Sequence, residues 1–166
     1  MDPVIVMGVA GCGKSSVAQA IAAALKMPLV EGDAFHPPCN QRKMTEGMPL
    51  DDADRAGWLD ELAHQIGAHP HGVVMTCSAL KRRYRDRLRR ANASLRFVHL
   101  AISQETALSR VTARAAQHFF GPSLVASQFE ALESPAGEPG VLEVDATQPL
   151  PVLAAQIAAW MQGDAS

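Results

Sequence analysis

The sequence predicts a single α/β domain: a three-layer sandwich with a five-stranded parallel sheet and helices on both faces. Three observations lead there. Short apolar runs alternate with helix-length stretches whose apolar residues recur at i, i+3, i+4, i+7. Such βαβ units build a parallel sheet covered on both sides. The first apolar run ends in a glycine-rich turn that opens directly onto a helical stripe. The length, 166 residues, suits one compact unit spanning 1–166 with a core of its own.

Val4-Ile5-Val6-Met7 is a continuous apolar run, the mark of a strand buried on both faces. Ala18, Ile21, Ala22 and Leu25 then stripe one face of a helix. A second strand ends near Leu29-Val30-Glu31. Asp51 is placed to cap the next helix, whose expected stripe is Ala56, Leu59, Leu62, Ala63 and Ile66. Val73–Cys77 reads as a third strand, and Leu80, Tyr84 and Leu88 stripe a strongly basic helix after it. Leu95–Leu100 is a fourth strand, followed by a helix marked by Leu108, Val111 and Ala115. Gly121-Pro122 breaks the chain before a helix near Ser123–Glu133, and Ser134–Gly140 reads as a loop. Val141–Val144 is the fifth strand, and Leu153, Ile157, Trp160 and Met161 stripe the last helix. Trp58 and Trp160 read as core or interface residues.

Composition excludes several classes. The formal net charge is −2, so no global basic field favours nucleic acid. No apolar run is long enough to span a membrane. Met1-Asp2-Pro3 leads straight into the first strand without the basic start of a secretory signal, so a cytoplasmic setting is expected. Cys12, Cys39 and Cys77 are scattered without C-x-x-C spacing, which disfavours disulfides and zinc alike. His64, His69 and His71 lack an accompanying carboxylate set and read as surface residues.

Ligands of open parallel sheets bind beyond the carboxyl ends of the strands. That rule directs attention to residues 8–15, 31–36, 76–81 and the stretch near 114–120. Gly8-Val9-Ala10-Gly11-Cys12-Gly13-Lys14-Ser15 fits G-x-x-x-x-G-K-[ST] at every fixed position, between a strand and a helix. The glycines let successive N–H groups turn around phosphate oxygens, and the helix points its positive end at the same anion. Nucleotide contacts are therefore expected from Gly8 through Ser16. Lys14 reaches the β- and γ-phosphates of ATP, and the Ser15 hydroxyl is the expected Mg²⁺ ligand. Cys12 sits in the loop as a small residue. A GTPase would need an N-K-x-D segment, which this chain lacks. Asp54-Arg55-Ala56-Gly57 has D-x-x-G spacing but lies within a helical stripe. The third strand ends Thr76-Cys77-Ser78, without the carboxylate a motor ATPase carries there. A compact P-loop kinase remains.

The segments beyond the loop are more specific. They include Gly32-Asp33, His36-Pro37, Asn40, Lys43-Met44, Gly47, Pro49-Leu50, Asp52, Asp54-Arg55 and Trp58-Leu59. They continue with Cys77-Ser78-Ala79-Leu80-Lys81, Tyr84-Arg85-Asp86, His118-Phe119-Phe120, Gln128-Phe129-Glu130 and Val144-Asp145. This text, spread from about Val6 to about Leu150, resembles the gluconokinase family, small kinases related in fold to shikimate and adenylate kinases. Two departures stand out. Glu31 occupies a position where the family commonly has Asp. The stretch Arg114-Ala115-Ala116-Gln117-His118-Phe119-Phe120 is one residue longer than the family's R-K-G-H-F-F and lacks its lysine.

The resemblance implies a nucleoside-monophosphate-kinase-like strand order, 2-3-1-4-5. It implies phosphorylation of D-gluconate at the 6-hydroxyl by ATP with Mg²⁺, and a homodimer. A substrate-binding segment is expected over about 33–59 and a lid over about 114–122, with His118-Phe119-Phe120 shielding the site. Asp33, at the end of the second strand, is the candidate to orient the attacking hydroxyl or take its proton. His36, Asn40 and Lys43 lie close enough in sequence for a helical or turn-like segment to gather them around a polyhydroxy acid. Lys81 and Arg85, four apart on the basic helix, are expected to hold the substrate carboxylate or to offset phosphate charge. Arg110 and Arg114, four apart on the helix leading to the lid, are expected to stack on adenine and to stabilise the transferring phosphoryl group respectively. Two rivals stand beside this reading: a shikimate-type kinase, and a nucleotide-binding regulator without turnover. Shikimate kinases carry a glycine triplet where this chain has Cys77–Lys81, and intact Lys14, Ser15 and Asp33 argue against the regulator.

Overall fold

Each strand of the computed structural model, which describes residues 1–114 and 123–163, lies where an apolar run had placed it. The order is β1 (Val4–Met7), α1 (Lys14–Leu25), β2 (Leu29–Glu31), a 3₁₀ turn (Gly32–Phe35), α2 (Pro38–Thr45), α3 (Asp52–Gly67), β3 (Val74–Thr76), α4 (Arg82–Arg89), β4 (Arg96–Ala101), α5 (Gln104–Ala113), α6 (Ser123–Ala131), β5 (Val141–Asp145) and α7 (Leu150–Gly163). The strands among the described residues form one parallel sheet ordered β2-β3-β1-β4-β5, the order the resemblance implied.

The period of two along β1 builds both halves of the core. Val4 and Val6 face a cluster with Ile21 of α1 and Ile157 of α7. Ile5 and Met7 face the opposite cluster, with Leu62 and Ile66 of α3 and Leu88 of α4. All four β1 residues are wholly buried, which places the carboxyl end of β1, and the loop it feeds, at the centre of the sheet.

Helix ends follow local chemistry. Asp51 caps α3 as expected: its carboxylate accepts the Asp54 N–H, and the Asp54 carboxylate accepts the Asp51 N–H in return. Two stripe assignments need correction. Ala56 is exposed, and Trp58 takes the inward position in its place. Leu108 is also exposed, while Ala107 and Val111 face inward. The reason lies in how closely α5 approaches the glycine loop. A side chain on Gly11 would stand 2.8 Å from the Ala107 carbonyl, so only small groups fit there and Leu108 is turned outward. Trp160 is half-buried at the edge of its cluster. Ala115 lies outside the described residues.

The basic helix α4 holds a feature that its composition did not announce. Arg85 is completely buried, and Glu138, from the loop before β5, meets it in two bonds. Arg85 Nε donates to Glu138 Oε1 at 2.9 Å and Nη2 to Oε2 at 2.7 Å, while the carbonyls of Ala79 and Glu133 take two further N–H groups. Arg89 adds a second contact to Glu138 at 2.9 Å. The Arg85 and then the Arg89 hydrogen bonds hold the Glu138 carboxyl below the usual carboxylate range, against burial. This ties the loop 134–140 to the end of β3. Removing one partner of a buried pair strands the other charge, at a cost of about 3–5 kcal/mol. Glu138→Ala is therefore expected to lower unfolding stability by about that amount in urea titration. A loss below roughly 1 kcal/mol, the range of exposed pairs, would show that the pair is not a structural anchor.

Candidate functional site

At the carboxyl edge of the sheet the loop 8–13 wraps toward the start of α1. Gly13 is the N-cap, left-handed at φ 92°, and no side chain caps the helix. The Val17 N–H is bonded to the Gly13 carbonyl, so the N–H groups of Lys14, Ser15 and Ser16 lie at the open first turn. Nothing stands within 4 Å of a Cβ built on Gly13, so the chain is uncrowded where the loop enters the helix. This is the geometry that accepts a phosphate at a helix N-terminus. Lys14 Nζ lies over the loop, donating to the carbonyls of Gly8 at 3.1 Å and Val9 at 3.3 Å. Cys12 is buried, and burial pushes its thiol up, so it is a packing residue.

Oxygen ligands gather beside Ser15. Its hydroxyl donates to Glu31 Oε2 at 3.1 Å, and the same oxygen accepts the Thr76 hydroxyl at 2.6 Å. A hydroxyl and a carboxylate next to a phosphate loop form an all-oxygen donor set that fits Mg²⁺. The glutamate in the place of the family's aspartate still reaches Ser15.

Two clefts open from this loop. The first, about 120 Å³, runs along Gly11, Gly13 and Ser16 to Arg110 and Arg114. Arg110 donates to the carbonyls of Gly11 at 3.2 Å and Ala146 at 3.3 Å, bracing the loop against the turn after β5. Arg114, at the end of α5, is exposed on the same cleft. The second, about 200 Å³, is lined by His36, Arg55, Trp58, Ser78, Lys81 and Gln128, among others. Ala10, Lys14 and Asp33 line both, so the clefts meet at the loop lysine and the β2-end carboxylate.

The substrate residues expected from sequence divide. Asp33, His36 and Lys81 line the second cleft. Asn40, Lys43 and Arg85 do not, and each has a partner that accounts for it. Asn40 is fully buried, with Nδ2 donating to the Asp54 carbonyl at 2.7 Å. Lys43 Nζ holds both oxygens of Asp54, at 2.8 and 3.0 Å. Its hydrogen bond lowers the Asp54 carboxyl and raises the lysine. Arg85 is closed in by Glu138, which corrects the expectation that it meets the substrate carboxylate. The i, i+4 pair splits because Lys81 precedes α4 and lies at the cavity rim, where Asp52 accepts its ammonium at 3.4 Å.

Several lining residues were not singled out from sequence as site residues. Arg55 stands inside the cavity, donating to the Leu50 carbonyl at 2.6 Å, with its guanidinium 5.5 Å from the centre of the Tyr84 ring. Gln128 of α6 accepts the Ala10 N–H at 2.6 Å, so α6 grips the phosphate loop. Both lie within the segments that carry the resemblance, which was the available signal. Ser78 lines the cavity, and its carbonyl accepts the Gly8 N–H. Ala79 beside it is left-handed at φ 47°, a conformation that costs a non-glycine residue about 1–2 kcal/mol. Its carbonyl is held by Arg85 Nη1 at 2.7 Å, so the buried arginine stabilises the turn that shapes the cavity floor. His118-Phe119-Phe120, and the expected lid apart from Arg114, lie outside the described residues. Among the described residues no group of histidine, cysteine and carboxylate side chains could hold a metal by itself, and no helix is long and apolar enough to cross a membrane.

Comparison with known proteins agrees with this geometry. The profile of a family described as "AAA domain" matches residues 4–136. A gluconokinase of Gluconobacter oxydans is 46% identical over 144 residues, covering 84% of this chain and 80% of that protein. The crystal structure of a gluconokinase from Sinorhizobium meliloti superposes with a TM-score of 0.86 at 42% identity, covering 99% of this chain and 98% of the other. An unliganded sugar kinase from Janibacter superposes with a TM-score of 0.91 at 37% identity, covering 97% and 94%.

His36 yields a pH prediction. Its imidazole is pushed down to about 4, first by burial; the Asp33 carboxylate opposes that shift and Arg55 adds to it. The unfolded chain takes up a proton at an ordinary histidine value of about 6.5, so from there to about pH 4 the unfolded state binds more protons than the folded one. Stability from this residue is therefore lost as pH falls through that window. His36→Gln should flatten the decline relative to the parent, measured as urea midpoints at several pH values. Coincident pH profiles would show that His36 is not held neutral.

Proposed function

The chain belongs to the gluconokinase family, and on that premise we propose that it transfers the γ-phosphoryl group of ATP to the 6-hydroxyl of D-gluconate, giving ADP and 6-phosphogluconate. The observation that carries this reading is the meeting of two clefts at Lys14 and Asp33. A phosphoryl group held by the loop on one side faces an acceptor hydroxyl on the other, the arrangement in-line transfer requires.

The loop N–H groups and Lys14 take the phosphates. Arg110 and Arg114 line the nucleotide side, where they fit the roles of stacking on the base and of offsetting charge on the moving phosphoryl group. Ser15, with Glu31 beside it, would hold Mg²⁺, which when bound neutralises charge on the β- and γ-phosphate oxygens. On the acceptor side, Asp33 orients the attacking hydroxyl and accepts its proton as the P–O bond forms. Arg55 and Lys81 supply the positive charge for the gluconate carboxylate. The reading keeps one domain over 1–166, with residues 33–59 furnishing much of the acceptor wall and 114–122 as a lid that excludes water. A cytoplasmic homodimer working on a small molecule, without nucleic acid or membrane, completes it. The net charge of −2 supports the exclusion of nucleic acid.

ADP release measured over D-gluconate, shikimate and glucose tests the assignment. Gluconate is expected to be preferred strongly, because glucose has no carboxylate for Arg55 and Lys81. Equal rates on glucose and gluconate would sink the cationic pocket.

Asp33→Asn keeps the shape but removes the basic oxygen. The single-turnover rate at saturating substrate should fall by about 10²–10⁴-fold with ATP binding retained. A folded variant with the parent's rate would dismiss Asp33 from the chemistry.

A further inference from the structure

One wall of the acceptor cavity is a histidine held on three sides. The His36 ring stacks on Trp58, with centroids 4.0 Å apart and planes 17° from parallel. Trp58 is fixed in turn by its Nε1–H, which donates to the Gly32 carbonyl at 2.8 Å. The ring plane is thus pinned to the backbone at the end of β2. At the ring edge Asn40 Nδ2 stands 3.2 Å from His36 Nδ1. The same amide nitrogen is 2.7 Å from the Asp54 carbonyl, which can only accept. Nδ2 is therefore the donating end of the amide, and its second hydrogen points to His36 Nδ1. Nδ1 must then be an acceptor, which leaves the ring proton on Nε2. Nε2 lies 3.7 Å from Asp33 Oδ1. A shift of under about 1 Å brings that pair to hydrogen-bond length.

We propose that Asn40 and His36 form a positioning relay, in which Asn40 fixes His36 as the Nε2–H tautomer and His36 offers that N–H to Asp33, holding the carboxylate toward the acceptor hydroxyl. The relay rests on the gluconokinase reading for the identity of the acceptor, but not for its geometry. His36 is not a base here, because its free lone pair faces Asn40. The charged groups facing the ring are Asp33, on the same segment, and Arg55 from α3. Burial of the ring, 5% exposed, keeps it neutral, so it remains a donor of fixed tautomer. Asn40 does not line the cavity, so its part in the relay runs through His36, while its other bond, to the Asp54 carbonyl, ties α2 to α3.

Long-range ¹H–¹⁵N spectra of the whole protein, recorded without substrate between pH 5.5 and 8, read the tautomer directly. The expected result is His36 protonated at Nε2 and bare at Nδ1 throughout; protonation at Nδ1 overturns the proposal. Rates then test the relay. His36→Ala should slow single turnover by roughly 10–100-fold, the weight of one hydrogen bond to a charged group. His36→Gln, whose amide N–H extends to a similar place, should recover most of that loss. Asn40→Ala should slow the parent but have no further effect in the His36→Ala background, because it acts through the ring. Equal loss in His36→Gln and His36→Ala, or additive losses in the double variant, would reduce both residues to packing. If D-gluconate is not the acceptor, the rates are measured on the substrate that is turned over. The tautomer spectrum stands regardless, so failure of the relay and failure of the substrate assignment are distinguishable.

Discussion

The acceptor side of this protein depends on how closely the end of β2 approaches the end of β3. Gly32 sits at that crossing. A Cβ there would overlap the Thr76 carbonyl, so only glycine lets the two backbones meet. Its N–H donates to the Thr76 hydroxyl at 3.1 Å, and its carbonyl accepts from Trp58. Both polar groups of one residue are thus spent on fixing position. Asp33 follows immediately, so the crossing sets where its backbone stands. The Thr76 hydroxyl donates onward to Glu31, which also receives Ser15. One tight approach between strands therefore couples the candidate metal ligands, the candidate base and the ring that flanks it.

Charge is distributed by the same economy. The segment Lys81–Arg90 carries seven basic residues and one acid, which by itself resembles a patch for an anionic polymer. The fold assigns most of that charge inward or sideways. Arg85 and Arg89 go to Glu138, Arg87 to Asp60, and Lys81 and Arg83 to Asp52. Tyr84 also donates its hydroxyl to Asp52. Surface members of this set add little stability individually. The buried Arg85–Glu138 contact differs, because neither group retains water to fall back on.

What could be read from the sequence was what short stretches encode. The phosphate loop is contiguous, and its strand–turn–helix setting is visible in eight residues and their flanks. Strand positions followed from apolar runs, since strands buried on both faces leave no ambiguity of face. Helix faces were less secure. Leu108 is exposed because of a contact 96 positions away in sequence, between Gly11 and Ala107, which no local stripe records. Three of the expected substrate residues lie away from the cavity for the same kind of reason. Lys43, Asn40 and Arg85 have the right chemistry for a sugar acid, but Asp54, His36 and Glu138 claim them first, and pairing at that range is a property of the fold. Arg55 appeared in the sequence only within the resembling segments and a helical stripe, with no local sign that it meets a cavity. The Trp58 ring beside it and the end of β2 turn that face into a cavity wall.

The two sides of the site are built differently, and the chemistry explains the difference. Phosphate is one shape in every nucleotide, so a loop made of backbone N–H groups, braced by Arg110 and Gln128, can be formed in advance. The acceptor wall comes from α2, the residues leading into α3, and α3 itself, joined by side-chain contacts such as Lys43–Asp54 and Asn40–Asp54. Those contacts join helices rather than strands, so the acceptor wall is shaped by side-chain pairing rather than by the sheet. Lys14 and Asp33 stand where the two regimes meet. Lys14 donates to loop carbonyls and Asp33 follows the Gly32 crossing, so both belong to the sheet side while lining the cavity that the acceptor wall completes. On the proposed reading, that placement holds the loop lysine and the β2-end carboxylate in register with one another, the condition under which positioning lowers the barrier to transfer.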